Sequence, residues 1–132
     1  MPVSPQERTA ITEQTTVDFR RDLDRLSPDD RASVVETLRR SYELLRVSPR
    51  SLFARAQRPL PIHLKDGLSS SLYSLRAGHD IRLIVAVDDD PVFGQTLVTL
   101  FRAVRHDQVE CSYRSIAHLL YGNQIERQNG AR

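Results

Sequence analysis

The sequence predicts an α+β fold: an N-terminal helical hairpin packed on a small antiparallel β-sheet, with a C-terminal helix. Apolar residues recur at helical spacing from Val17 to Val47, change to short runs of β-type composition from Leu72 to Val104, and return to helical spacing up to Tyr121. A chain of 132 residues, of which 39% are hydrophobic, has the size of one domain built around one core. We therefore place the domain at residues 17–122.

Residues 1–16 are predicted to form a flexible arm with a possible edge strand, because only Ala10 and Ile11 offer apolar surface there. The first helix is predicted over Val17–Leu26, with Thr16 as its N-cap. Two helices in quick succession predict the helical hairpin.

The second helix has a strong start signal. Ser27 is a suitable N-cap, Pro28 tolerates the first helical position, and Asp29 and Asp30 complement the helix dipole. The apolar stripe that follows predicts a helix ending near Val47.

Three strands are predicted next, paired as an antiparallel meander. A hairpin is predicted from two short runs, Leu72–Arg76 and Ile81–Val87. The acidic run Asp88–Asp90 is expected to break the chain after it. The third strand is predicted over Gln95–Val104. The carboxylates of this run could chelate a cation, but the run lacks the spaced ligands of a calcium loop, so a turn is predicted instead.

The last helix is predicted to run from an N-cap at Asp107 to Tyr121, with Gly122 as a C-terminal stop. Residues 123–132 are predicted to be a polar tail.

The formal net charge of +2 conceals a basic middle flanked by acidic segments. Between residues 39 and 65 a single anion, Glu43, stands among seven cations: Arg39, Arg40, Arg46, Arg50, Arg55, Arg58 and Lys65. Such a surface suits an acidic partner.

Several classes of protein are excluded by what the sequence lacks. No apolar run is long enough for a membrane span and no secretory signal is present, so we expect a cytoplasmic protein with no membrane partner. Cys111 is the only cysteine, and no cluster has zinc-ligand spacing. Phosphate-binding glycine loops and nucleophile elbows are also missing. We expect neither a metal nor a cofactor.

The sharpest constellation of polar residues lies at one end of the predicted sheet. Arg76 and Arg82 flank a tight hairpin, and Arg105 and His106 follow the third strand. Guanidinium groups hold phosphate and stabilise developing negative charge, and an imidazole moves protons near neutral pH. Taken without any resemblance, these residues are more often ordinary surface groups than a site.

The sequence supports two interpretations of Arg82 equally well. It lies among apolar residues, where a guanidinium needs either a paired carboxylate or an open cleft. A structural salt bridge with Asp80 or with an acidic residue of the first helix is one interpretation, and a functional site is the other.

Two stretches resemble the RelE/ParE superfamily of bacterial toxins. Val17–Leu26 resembles the opening helix of the family, and LYSLRAGHDIRLI at Leu72–Ile84 resembles its hairpin motif LYxLRxGxDxRxI. Arg105-His106-Asp107 falls where members carry a histidine motif after the last long strand. The resemblance covers about residues 17–121.

The resemblance implies the toxin of a type II toxin-antitoxin system, cytoplasmic and neutralised by a cognate antitoxin. RelE-like members cut mRNA on the ribosome without a metal, whereas ParE-like members inhibit DNA gyrase; a non-catalytic member repurposed for protein binding is a third possibility. Carried over by position, Arg82, His106 and Arg76 are the catalytic residues. We add Arg105, Lys65 and Arg58 as residues expected to bind substrate.

Two positions depart from the family pattern. Leu72 and Ser74 stand where the best-known ribonucleases carry lysines, and Glu110 and Cys111 stand near the place of a tyrosine. Tyr113 or Tyr73 is a possible substitute for that tyrosine.

Overall fold

The computed structural model describes residues 10–47, 52, 56–60, 62–67, 69–90 and 92–125. These residues form an α+β fold with a C-terminal helix, as predicted. Parts of the predicted arm and tail, residues 1–9 and 126–132, and two residues of the basic middle, Arg50 and Arg55, lie outside the described residues. The elements are β1 (Ala10–Thr15), α1 (Val17–Arg25), α2 (Pro28–Val47), β2 (Leu72–Ala77), β3 (Ile81–Asp90), β4 (Gln95–Arg105) and α3 (Val109–Tyr121).

The four strands form one sheet in the order β1-β4-β3-β2. The antiparallel meander of β2, β3 and β4 is confirmed, but β1 runs parallel to β4, so the sheet is mixed and the prediction of a purely antiparallel sheet is wrong. Parallel neighbours need a long crossover, and the helices and the hairpin between β1 and β4 supply it.

Helix α1 is joined to the sheet at its first turn. The Thr16 hydroxyl accepts the backbone N–H of Phe19 at 3.1 Å, which confirms the predicted N-cap. The same hydroxyl lies 3.1 Å and 3.0 Å from the carbonyl oxygens of Leu100 and Phe101. The register of β4 against β3 shifts at these residues. One threonine thus ties the start of α1 to the irregular part of β4.

Helix α2 begins as predicted, with the Ser27 hydroxyl accepting the N–H of Asp30 at 3.1 Å. The two helices pack against different parts of the sheet, α1 on β4 and α2 mainly on β2. A strand, β1, precedes both helices, so the predicted N-terminal helical hairpin is not confirmed. The apolar side chains of both helices therefore pack mainly on the sheet and less on each other.

Strand β3 continues through the acidic run, so the predicted break at Asp88–Asp90 is wrong. Pairing with β4 carries the strand to Asp90, and the Thr96 hydroxyl donates to Asp89 at 3.1 Å. The turn follows over residues 92–94, where Asp90 accepts the N–H groups of Val92 and Phe93. Ladder hydrogen bonds outweigh the weak strand preference of aspartate here.

The start of α3 differs from the prediction. Asp107 lies inside a 3₁₀ turn, His106–Gln108, and makes no cap; Gln108 occupies the N-cap position without a side-chain hydrogen bond. At the other end the α-helix ends at Tyr121 with Gly122 at the C-cap position, as predicted. Gly122 has a right-handed φ of −43° and leads into another 3₁₀ turn, so it does not adopt the left-handed conformation of a glycine stop.

Each face of the sheet has its own apolar cluster. The face under α1 and α2 buries residues that include Phe19, Val34, Leu45, Leu75, Leu83, Val85 and Leu100. The face under α3 buries Leu72, Ile84, Ala86, Val104, Tyr113, Ile116 and Ala117. Side chains alternate between the faces along β2 and β3, so Leu72, Ile84 and Ala86 share one face. Arg76 and Arg82 follow the same alternation and belong to the α3 face.

One ion-pair network on α2 makes stability depend on pH. Glu36 accepts hydrogen bonds from Arg39 and Arg40, which hold its carboxyl pKa at about 2, below its usual 4.5. Because the folded-state pKa is depressed, the stabilising contribution is complete above 4.5 and is lost as pH falls from there towards 2.

We therefore expect Glu36→Gln to be less stable than the wild type at neutral pH, with the difference shrinking to zero at low pH. Solvent screening keeps the effect small. Urea titrations of both proteins at a series of pH values measure it, and a difference that stays constant below pH 4 would contradict the assignment.

Candidate functional site

Arg76 and Arg82 lie directly opposite each other on β2 and β3. Ser74 directs both its N–H and its C=O away from β3, to the backbone of Gln57 at 2.7 Å and 2.9 Å. Positions two apart share this orientation, so Arg76 and Arg82 form a non-hydrogen-bonded pair, whose Cα atoms lie about 4.5 Å apart. Like charges at such a pair destabilise a sheet.

The two arginines are held by backbone carbonyls of the hairpin. Arg76 donates its Nε–H to Gly78 O at 3.2 Å, and Arg82 donates from Nη1 to Ile81 O at 3.1 Å. Neither forms an ion pair with any residue that the structure describes. A guanidinium has five N–H donors, so most of the donors of this pair remain available to an anion.

The carboxylates considered for Arg82 are bonded to other arginines. Asp80 bonds Arg105, and Asp22 of the first helix bonds Arg102 with two hydrogen bonds of 2.7 Å and 3.1 Å. Asp22 is also the acceptor for the N–H of Ala103 at 2.9 Å. Within the described residues, Arg82 thus lacks the structural salt bridge.

His106 is held by Asp80 in the hairpin turn. Its Nδ1 lies 2.5 Å from Asp80 Oδ1, and its backbone N–H donates to Asp80 O at 2.8 Å. Arg105 donates to the second carboxylate oxygen, Oδ2. Hydrogen bonds from His106 and then from Arg105 lower the pKa of the Asp80 carboxyl, which favours its ionised form.

The hairpin turn that carries Asp80 needs glycine at its first position. Gly78 has a φ of +86°, which is strained for other residues, and a Cβ there would lie 3.3 Å from Ser33 on α2. The turn therefore passes close to α2 at Gly78, two residues before Asp80.

Arg76, Arg82 and His106 share one end of the sheet. Arg82 pairs with Val104, and His106 lies two positions further along the chain, directly after the end of β4. This end therefore brings together two guanidinium groups and one imidazole, the set predicted from the sequence.

Arg58 and Lys65 lie elsewhere. Arg58 stacks 4.7 Å from the ring centroid of Tyr73 and donates to Ser70 O at 2.7 Å, which fastens its segment beside β2. Lys65 follows Leu64, whose backbone bridges to Ile125 beyond the end of α3. His106 precedes the start of that helix, whose 13 residues span about 20 Å. The structure does not bring Lys65 to the arginine pair.

Tyr113 and Tyr73 are both engaged in packing. Tyr113 is completely buried, donates its hydroxyl to Leu72 O at 2.6 Å, and has a pKa raised chiefly by burial. Tyr73 lies under the Arg58 guanidinium and accepts a hydrogen bond from it at 2.9 Å. These contacts are structural, so neither tyrosine is a free substitute for the family's tyrosine.

We expect Tyr113→Phe to lower the free energy of unfolding by about 1–2 kcal/mol, because the buried carbonyl of Leu72 loses this donor. Any activity of the site should be unchanged. Urea denaturation measures the first effect, and loss of activity in a folded variant would contradict the structural assignment.

Sequence reasoning missed the role of Asp80. It considered Asp80 only as a partner for Arg82, whereas the carboxylate holds Arg105 and His106. The signal was available in the strand register: once Ile81 pairs with Arg105, the residue before Ile81 meets the residue after Arg105.

The described residues contain no helix both long and apolar enough to cross a membrane. No group of three or more His, Cys, Asp or Glu side chains is arranged among them to hold a metal ion. Comparison of the chain with protein-family models, curated proteins and solved structures finds no match.

Proposed function

We propose that this chain is the toxin of a type II toxin-antitoxin system and acts as a ribosome-dependent mRNA endoribonuclease of the RelE/ParE type. The observation that carries the proposal is the pair of like-charged arginines, opposite each other and without a described carboxylate partner, beside a histidine held by Asp80. Repulsion between the two arginines weakens the sheet, and a bound anion would neutralise that repulsion.

The chemistry proposed is attack of an RNA 2′-hydroxyl on the adjacent phosphate. A bond forms between the 2′-oxygen and phosphorus, and the bond from phosphorus to the 5′-oxygen breaks. Either His106 takes the proton of the 2′-hydroxyl and water protonates the leaving 5′-oxygen, or His106 protonates the leaving 5′-oxygen and water takes the proton of the 2′-hydroxyl. Arg76 and Arg82 stabilise the charge that develops on the phosphate oxygens.

The proposed partners are the ribosome with its mRNA, and a cognate antitoxin in the cytoplasm. For the antitoxin, β1 provides support because it is an edge strand whose outer side can accept another strand. Pull-down of the chain from its native host should recover a small acidic protein encoded beside it. Absence of both the neighbouring gene and the peptide would contradict this part.

Induced expression in bacteria tests the activity. The expected result is early translation arrest with cleaved transcripts for the wild type, and neither effect for His106→Ala. Arg20→Ala is a matched control, because Arg20 is exposed on α1, on the opposite side of the sheet. An SOS response with filamentation would instead indicate gyrase inhibition, and no growth effect would indicate a non-catalytic member.

A further inference from the structure

Asp80 is fixed at three points, which is unusual for a partly exposed turn residue. Arg105 bonds Oδ2, His106 Nδ1 lies 2.5 Å from Oδ1, and the backbone oxygen accepts the N–H of His106 at 2.8 Å. The backbone contact places the imidazole over the turn, and the carboxylate sets the direction of the ring. The His106 ring therefore has one defined orientation.

The protonation of the ring follows from hydrogen-bond chemistry. An ionised carboxylate can only accept hydrogen bonds, so the contact to Oδ1 requires a proton on Nδ1. The lowered pKa of Asp80 keeps the carboxylate ionised at neutral pH. His106 Nε2 makes no hydrogen bond to any residue in the described part of the chain.

We propose that Asp80 is a positioning residue that keeps a proton on His106 Nδ1, so that every proton exchanged with a substrate passes through Nε2. This role rests on the proposed nuclease function. Without Asp80 the ring could turn and present either nitrogen, and the fraction with the correct tautomer would fall.

The same geometry changes the role of Arg105. Its guanidinium bonds the Asp80 carboxylate, so Arg105 acts on the reaction through Asp80 and His106. The sequence placed it among the residues that bind substrate. In the described residues the arginine pair, Arg76 and Arg82, is the part of this end without a bound carboxylate.

Nitrogen NMR of the His106 ring, combined with a cleavage assay on programmed ribosomes, tests the proposal. The ring signals are assigned by their loss in His106→Gln. We expect neutral His106 to carry its proton on Nδ1 in the wild type. In Asp80→Asn the amide N–H can donate to Nδ1, which moves the ring proton to Nε2 and lowers the cleavage rate by about 100-fold or more.

Asp107→Asn is the matched control, because Asp107 is an exposed neighbour of His106 with no side-chain partner in the described residues. It should keep the wild-type tautomer and rate. Asp80→Glu retains a carboxylate and should recover part of the rate lost in Asp80→Asn.

Two results would overturn the positioning role: a wild-type His106 protonated on Nε2 when neutral, or an unchanged tautomer and rate in folded Asp80→Asn. The first measurement needs no variant at Asp80, so a variant that fails to fold does not remove the test. A wild type with the expected tautomer that cleaves no mRNA would overturn the proposed function, while the position of the ring proton would stand.

Discussion

Asp22→Ala is expected to lower the free energy of unfolding by about 3 kcal/mol. We expect no other substitution of a single described carboxylate to cost more stability. The Asp22 side chain is only 7% exposed and accepts three hydrogen bonds, two from Arg102 and one from the N–H of Ala103. Its removal leaves a partly buried guanidinium without its carboxylate and a buried backbone donor without an acceptor.

Asp24→Ala is the matched control for this experiment. Asp24 lies on the same helix, is exposed, and has no side-chain partner among the described residues. Urea denaturation of both variants should show a lower midpoint for Asp22→Ala with an unchanged slope, and almost no change for Asp24→Ala. Equal midpoints for the two variants would contradict a structural role for the Asp22–Arg102 pair.

The parts of the fold that depend on local sequence were predictable. The caps at Thr16 and Ser27 and the apolar stripes of α1 and α2 are local signals, and the structure confirms them. The edge strand was predicted from Ala10 and Ile11, but its pairing was not, because its partners on β4 lie 85 residues further along the chain, as for Ala10 and Gln95. No local pattern encodes such a contact, so the parallel pairing could not be derived from composition or periodicity.

The strand and helix ends show the same limit. Aspartates favour turns, yet Asp88 and Asp89 lie in β3 because their backbones pair with Leu97 and Thr96. Asp107 is a good N-cap residue by type, yet the chain enters α3 through a 3₁₀ turn that leaves it without a capping bond. Tertiary pairing decided these positions against residue preference.

The candidate site was predicted in part. The alternation of β2 and β3 was enough to place Arg76 and Arg82 together, and the position of His106 after β4 placed it at the same end. The competition for carboxylates was not predictable, because it depends on where Asp22 and Asp80 lie in space. That competition leaves Arg82 without the salt bridge that the sequence made equally plausible.

Arg82 occupies the middle of the candidate site, and its contacts suggest little structural value. Its hydrogen bonds go to the carbonyl oxygens of Ile81 and His79, at 3.1 Å and 3.5 Å, within its own hairpin. Its removal also relieves the repulsion of Arg76 across the strand pair. These opposing effects are small, so the fold should survive the substitution.

Arg82→Ala is therefore expected to have a free energy of unfolding within about 1 kcal/mol of the wild type. If the chain is the proposed nuclease, the variant should lose about 100-fold or more of the mRNA cleavage rate, because a preorganised donor to the developing phosphate charge is gone. Arg82→Lys keeps the charge without the planar fork and should recover only part of the rate. Urea denaturation, growth inhibition and cleavage are measured on the same preparations, with Arg20→Ala as the control. A folded, fully toxic Arg82→Ala would remove Arg82 from the site, whereas a loss of about 3 kcal/mol in stability would indicate a buried ion pair instead.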